Sequence, residues 1–252
     1  MHGLKFEFDD LHGSSAEAIV MAQASAAELA LIASQPTPLP LFSAGTATPT
    51  NPDLRRIFDI VAALALLVLL APVLILVAVL IFVVDRGPPL FAHERIGRDG
   101  RSFSCYKFRS MRVDAEARLE ELLATNATLR THWLRDHKLP NDPRVTPIGQ
   151  FLRVSSLDEL PQLFNVLMGT MTFVGPRPIV AAELHRYGRF ALSYMKVKPG
   201  LTGLWQISGR SRTTYRRRVA ADVLYIRKRS LGFDTRILLF TVPAVLLGRG
   251  SC

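Results

Sequence analysis

The chain has 252 residues, 49% of them apolar, and a formal net charge of +10. That length accommodates one good-sized domain plus a tail or a membrane element. Its two cysteines, Cys105 and Cys252, lie far apart and outside any CxxC or Cys/His cluster, so no disulfide framework or zinc site is suggested.

The charge is unevenly spread. Residues 1–50 hold five acids and one base, so the rest of the chain carries about +14. Such a surplus points to an anionic partner: nucleic acid, anionic lipid or a phosphate-rich substrate. Residues 1–50 read as a disordered acidic tail, with Pro, Ser, Thr and Gly crowding Ser34–Pro52. Within the tail, Ala16–Ile32 is Ala-rich and suits at most a transient helix.

The next stretch is "RRIFDIVAALALLVLLAPVLILVAVLIFVVDRG", Arg55 to Gly87. From Ile60 to Val84 it has no charged or strongly polar residue, and roughly 20 apolar helical residues reach across a bilayer core. The simple reading is one span. Two features favour a re-entrant helix over residues 51–86 instead. Pro72 falls mid-run, where it removes a helix hydrogen bond and bends the axis. Arginines also flank both ends (Arg55 and Arg56 before; Arg86, Arg95, Arg98 and Arg101 after), and positive charge stays on the cytoplasmic side. The predicted element is therefore a helix-break-helix that enters and leaves one face.

Residues 87–252 read as the soluble part, placed by the re-entrant helix on the cytoplasmic surface. Gly87–Met111 reads as a hairpin turning at "GRDGR", with Phe91, Ile96, Phe103 and Tyr106 as its apolar side. Asp114–Ala124 reads as an amphipathic helix presenting Leu119, Leu122 and Leu123. Leu139–Gln150 reads as a proline-rich loop, Pro161–Gly169 as a helix, and Phe173–Pro178 as a strand ending in a rigid turn. Val197–Ser211 has too many glycines for a helix. Tyr215–Ser230 is a very basic helix, and Asp234–Gly248 an apolar one interrupted by Pro243 and suited to a membrane surface. The fold class is thus mixed α/β and mainly helical, with surface amphipathic helices and a small β element. No helix-turn-helix, zinc finger or stacking signature accompanies the basic residues. Anionic phospholipid is the expected partner of this charge, and nucleic acid is not.

The chemistry centres on "SSLDELPQLFNVLMG", Ser155 to Gly169. One reading is a capping box with Ser156 at the N-cap and Glu159 at N3. Pro161 would then sit beyond the first turn, costing on the order of 3 kcal/mol. A helix starting near Glu159 or Leu160 fits better and leaves Asp158 and Glu159 at an exposed mouth, where a capping Asp stays a valid alternative. Lys107, Arg109, Arg112, Arg144, Arg153 and Arg177 all fall in loops or at element ends. Arginine forks there suit bidentate phosphate contacts. Carboxylates beside phosphate ligands call for a cation, typically Mg²⁺, and a carboxylate can itself attack phosphorus. The pattern points to phosphoryl chemistry on a lipid-linked substrate.

These residues resemble the bacterial sugar transferases, the monotopic polyprenyl-phosphate hexose-1-phosphate transferases (phosphoglycosyl transferases) that initiate exopolysaccharide. The matching motifs are "KFRSM" at Lys107–Met111, "DPRVTPIGQFLRVSSLDELPQLFNVLMG" at Asp142–Gly169, "FVGPRP" at Phe173–Pro178, "KPGLTGLWQISGR" at Lys198–Arg210 and "DVLYI" at Asp222–Ile226. They span about Asn51 to Ser251. The resemblance implies transfer of a sugar 1-phosphate, glucose or galactose, from a UDP-sugar to undecaprenyl phosphate with release of UMP. It implies Asp158 as the nucleophile, Mg²⁺ held beside Asp158 and Glu159, phosphate contacts from Arg153 and Arg177, and help from Lys107 and Arg109. It identifies Pro72 with the family's helix-breaking proline and places the protein on the bacterial inner membrane, catalytic domain on the cytoplasmic face, with a homo-oligomer left open. Two residues depart from the family pattern: Ala71 stands where Ser usually precedes the proline, and Thr170 where an acid is usual. The competing readings are an inactive membrane-tethered scaffold and a single-span anchor carrying a nucleic-acid-binding domain; intact Asp158, Glu159, Arg153 and Arg177 argue against the scaffold.

Overall fold

The structure is a computed structural model that describes residues 52–136, 139, 142–208 and 214–246. The expected acidic tail, its Ala16–Ile32 segment and the end of the WQISGR motif lie outside the described residues.

Helix α1, Pro52–Asp85, carries the apolar run. It ends where Arg86 takes a positive φ of 43° and Pro88 and Pro89 forbid another turn. Pro72 lies inside α1, exposed, and the helix continues through it. The expected helix-break-helix is therefore one uninterrupted helix: the ring removes a single backbone bond, and the turns on either side carry on.

Both ends of α1 are tied to the same domain. At the start, Arg55 pairs with Asp234 at 2.7 Å, Arg56 donates to the carbonyls of Val166 and Leu167, and Asp59 accepts from Thr172 Oγ1 and the Phe173 amide, each at 3.1 Å. At the finish, Asp85 accepts from the Val113 amide at 3.1 Å. Between them Ala63, Val77 and Ile81 are buried against the domain. The opposite face is bare hydrocarbon, with Val68 70% and Leu69 72% exposed. A perpendicular span would put its two ends on opposite sides of about 30 Å of hydrocarbon. Here one domain holds both, so the helix is monotopic.

Strands β1 (Leu90–Ile96) and β2 (Ser102–Phe108) form the antiparallel hairpin, turning through Asp99 and Gly100, both at positive φ. Its apolar residues do not share one side. Phe91 pairs opposite Lys107 and Phe103 opposite Arg95 on one face, while Ile96 and Tyr106 occupy the other. Cys105 is buried on one face and Ile96 and Phe108 on the other, while residues 90–94 stay exposed, so strict alternation is lost. Helices α2 (Ala115–Thr125) and α3 (Ala127–Asp136) follow and pack on each other. The expected proline-rich loop gives way early to α4, Pro147–Ser155, because Thr146 caps the Gly149 amide at 3.0 Å and Pro147 suits the first turn.

A 3₁₀ turn, Leu157–Glu159, links α4 to α5, Gln162–Met168. Strand β3 (Thr172–Val174) pairs in parallel with β4 (Gly200–Thr202) across a 3₁₀ segment (Ala181–Phe190) and α6 (Ala191–Met195). The glycine-rich stretch contains a short helix after all, α7, Leu204–Ile207. Its glycines serve close backbone approach: a Cβ on Gly200 would lie 2.1 Å from the Gly175 nitrogen, and one on Gly203 2.1 Å from the Gly175 oxygen. Helix α8, Tyr215–Lys228, is basic at its ends, but Val219–Tyr225 is buried, so it is a core helix rather than a surface one. Helix α9, Leu231–Leu246, passes through Pro243. The main core joins Ala63 of α1 to Leu163 and Val166 of α5, Phe173 and Val174 of β3, Leu204 of α7, Leu224 of α8 and Ile237 of α9.

Candidate active site

The carboxylate pair lies in the 3₁₀ turn between α4 and α5. Ser156 turns the chain there with φ 59° and ψ 15°, a left-handed conformation, and its side chain makes no capping bond. Pro161 sits just ahead of α5. The helix thus starts after the carboxylates, as the proline required, and the capping box is absent.

Opposite the turn, β2 presents Lys107. Its Nζ lies 2.6 Å from Glu159 Oε1 and 3.8 Å from Asp158 Oδ2. Asn165 of α5 fixes this juxtaposition: its Oδ1 accepts from the Tyr106 amide at 2.9 Å and its Nδ2 donates to the Ser104 carbonyl at 2.7 Å. Thr170, in the position where the resemblance implies an acid, bonds Asn165 through its hydroxyl at 3.2 Å and so belongs to this clamp. Arg153 donates from Nε to Ser110 Oγ at 2.9 Å.

Charge and burial set the ionisation of the pair. Burial pushes the Asp158 carboxyl up to about 6, with Glu159 adding to it and Lys107 and Arg153 pulling against it. Burial pulls Lys107 down, but the carboxylates of Glu159 and Asp158 outweigh it and hold the ammonium above its ordinary range. Lys107 therefore stays a cation beside the carboxylates.

An open cleft of about 1210 Å³ gathers these groups. Lys107, Arg109, Arg153, Asp158, Glu159 and Arg177 all line it. Arg109, however, lies 3.2 Å from Asp85 at the end of α1, which gives it an anchoring contact. Arg144 also lines the cleft but is spoken for: it grips Asp142 through two bonds of 2.8 and 2.7 Å and stacks over Trp133. Pro72 is not among the lining residues. Sequence reasoning missed Asn165, Trp205 and Arg218, the latter two also lining the cleft. Spacing gave no hint of Asn165; Trp205 stood inside a recognised motif without an assigned role.

A family model described as bacterial sugar transferase matches residues 50–248. The chain is 50% identical over 200 residues to a UDP-galactose-lipid carrier transferase of Erwinia amylovora, covering 79% of this chain and 41% of that protein. It is 45% identical to the exopolysaccharide production protein ExoY of Rhizobium meliloti, covering 82% of this chain and 92% of that one. It is 42% identical to the UDP-glucose:undecaprenyl-phosphate glucose-1-phosphate transferase of Escherichia coli, covering 76% of this chain and 40% of the relative. The chain thus spans about two fifths of the Erwinia and Escherichia proteins and nearly all of the Rhizobium one. With the motifs, the carboxylate turn and a family match over most of its length, this chain belongs to the bacterial sugar transferase family.

Proposed function

We propose that this chain transfers a hexose 1-phosphate from a UDP-hexose to undecaprenyl phosphate, releasing UMP, on the cytoplasmic face of the bacterial inner membrane. The observation that carries the reading is the convergence of Asp158, Glu159, Lys107, Arg153 and Arg177 on one cleft in a domain held against a monotopic apolar helix. The relatives' names supply both galactose and glucose as donor hexoses, and exopolysaccharide as the product class.

In the first half-reaction a carboxylate oxygen of Asp158 attacks the sugar-side phosphorus. The bond from that phosphorus to the bridging oxygen breaks, the electron pair leaves with UMP, and an acyl phosphate carrying the sugar remains. In the second, an oxygen of undecaprenyl phosphate attacks the same phosphorus and the Asp158 carboxylate is released. Lys107 neutralises charge beside the nucleophile, and Arg153 and Arg177 hold phosphate oxygens.

Mg²⁺ fits this donor set. Among the described residues no three His, Cys, Asp or Glu side chains gather around one point. Mg²⁺ needs fewer, being held by one or two carboxylates with waters and substrate phosphates. Asp158 and Glu159 would hold it, and it would neutralise diphosphate charge.

The test is UMP release from a panel of UDP-sugars by the membrane-embedded chain, with and without undecaprenyl phosphate. Turnover with UDP-galactose or UDP-glucose, abolished in Asp158→Asn while membrane association persists, is expected. Undiminished turnover in that variant would remove Asp158 as nucleophile, and no UMP from any UDP-hexose would sink the reading.

A further inference from the structure

We infer that Arg218 and Trp205, with Arg177, form the subsite that grips the nucleotide-side phosphate of the donor and then the departing nucleotide; this rests on the donor reading above. Trp205 lies on α7 and Arg218 on α8. The Arg177 guanidinium carbon sits 5.1 Å from the centre of the Trp205 ring, and that of Arg218 sits 4.6 Å from the same centre. Arg218 also lies 5.3 Å from the Tyr215 ring. All three side chains line the cleft that holds Asp158. Two guanidiniums thus share one indole, and the planar fork of each suits bidentate contacts to phosphate oxygens.

The local charge calls for an anion. Burial lowers the Arg218 pKa, and the strongest charge acting with it is Arg177, so the two cations press on one another. The acids facing them are Glu183 and Asp222. Glu183 lies 3.9 Å from Arg95, another cation of the cleft. Asp222 is fully buried and accepts from Tyr187 Oη at 2.7 Å. Burial holds its carboxyl at about 7, against the pull of Tyr187, Arg218 and Arg177, so it is only a partial counter-charge. Two buried donors, Arg218 Nε and Trp205 Nε1, have no hydrogen-bond partner among the described residues. Buried donors are normally satisfied, and a phosphate in the cleft satisfies donors of this kind.

The division of labour follows from the donor's two phosphates. The cations that act most strongly on Asp158 are Lys107 and Arg153, and they serve the phosphorus under attack. When Asp158 forms its bond to that phosphorus, the bridging P–O bond breaks and its electron pair goes to the nucleotide phosphate, which gains one negative charge. The cation pair on Trp205 is a fixed counter-charge for it. The acyl phosphate left on Asp158 no longer uses this subsite, so the two half-reactions should respond differently to its loss.

The chain has two tryptophans, so Trp133→Phe leaves Trp205 as the only indole and serves as parent. Titrating the membrane-embedded parent with UMP, uridine and inorganic phosphate, read by Trp205 emission, should give saturable quenching by UMP and none by uridine. In that background Arg218→Ala should raise both the UMP Kd and the KM for UDP-hexose at least tenfold. Discharge of pre-formed phospho-sugar enzyme onto undecaprenyl phosphate should keep its rate. Equal quenching by uridine, or an unchanged UMP Kd in Arg218→Ala, would overturn the subsite. Where the alanine variant does not fold, Arg218→Lys keeps the charge and loses the fork; a UMP Kd equal to the parent's overturns the subsite there too. A parent that binds UMP but releases none from any UDP-hexose refutes the donor reading alone, since UMP binding still decides the subsite.

Discussion

At the residue scale, the proposed mechanism requires Asp158 to be ionised, and burial, which disfavours the charge, pushes its carboxyl up to about 6. UMP release, followed as kcat/KM, should therefore rise with pH through about 6 and level off above it. Lys107→Met removes a cation that stabilises the carboxylate and should move the inflection to higher pH; a profile that is flat or falls through this range contradicts the assignment. The same shift bears on stability. A carboxyl whose folded-state value is raised binds its proton more tightly when folded. Its stabilising contribution is present below the ordinary carboxylate range and is lost as pH rises through about 6. The penalty at neutral pH is on the order of 3 kcal/mol. Asp158→Asn should consequently raise the melting temperature at pH 7.5 while abolishing activity, and a lowered melting temperature would show that the carboxylate is net stabilising. The residue scale is also where the sequence was most legible. Lys107, Arg153, Asp158, Glu159 and Arg177 have charged side chains in ordered motifs, and the fold brings all five to one cleft. Asn165 does not: it is an ordinary amide inside an apolar helix, and only the approach of β2 to α5 makes it a clamp.

At the element scale, α1 and α5 are joined. Arg56 donates to Val166 and Leu167 carbonyls near the C-terminal end of α5, and the carboxylate turn lies at the other end of that helix. A cation over terminal carbonyls satisfies acceptors the helix cannot satisfy itself and complements its dipole. Charged hydrogen bonds of this kind contribute roughly 1.5–3 kcal/mol each. Arg56→Ala should leave the protein in the membrane fraction, because the apolar face of α1 is intact. It should lower UMP release and speed proteolytic cleavage near Gly169. Unaltered turnover together with unaltered cleavage would show that α5 does not depend on this contact. Elements were legible where the local pattern was strong, as in the apolar run of α1, the Asp-Gly turn of the hairpin and the helix after Pro161. They were misread where packing decides. The hairpin buries residues on both faces, α8 hides the middle of a basic sequence, and α7 forms directly after glycines whose purpose is the contact between Gly175, Gly200 and Gly203.

At the scale of the whole molecule, the position of the ends of α1 decides topology. Arg55, Arg56 and Asp59 at one end and Asp85 at the other all bond to a single domain. Single cysteines at positions 50 and 90, in a chain with Cys105 and Cys252 replaced, should react with a membrane-impermeant thiol reagent from the same side. Reaction from opposite faces would restore a true span. The flanking arginines made this legible in the sequence; the ion pairs that enforce it were not, since each joins residues distant along the chain.

That distance has a consequence for how the protein is made. Arg56 and Asp59 are translated before their partners Val166 and Phe173, which follow 110 and 114 residues later. At ribosomal rates of about 5–20 residues per second, that is a wait of roughly 5 to 25 s. Through that interval the guanidinium of Arg56 and the buried carboxylate of Asp59 are still unclaimed. The domain, arriving afterwards, is therefore assembled onto a helix already made.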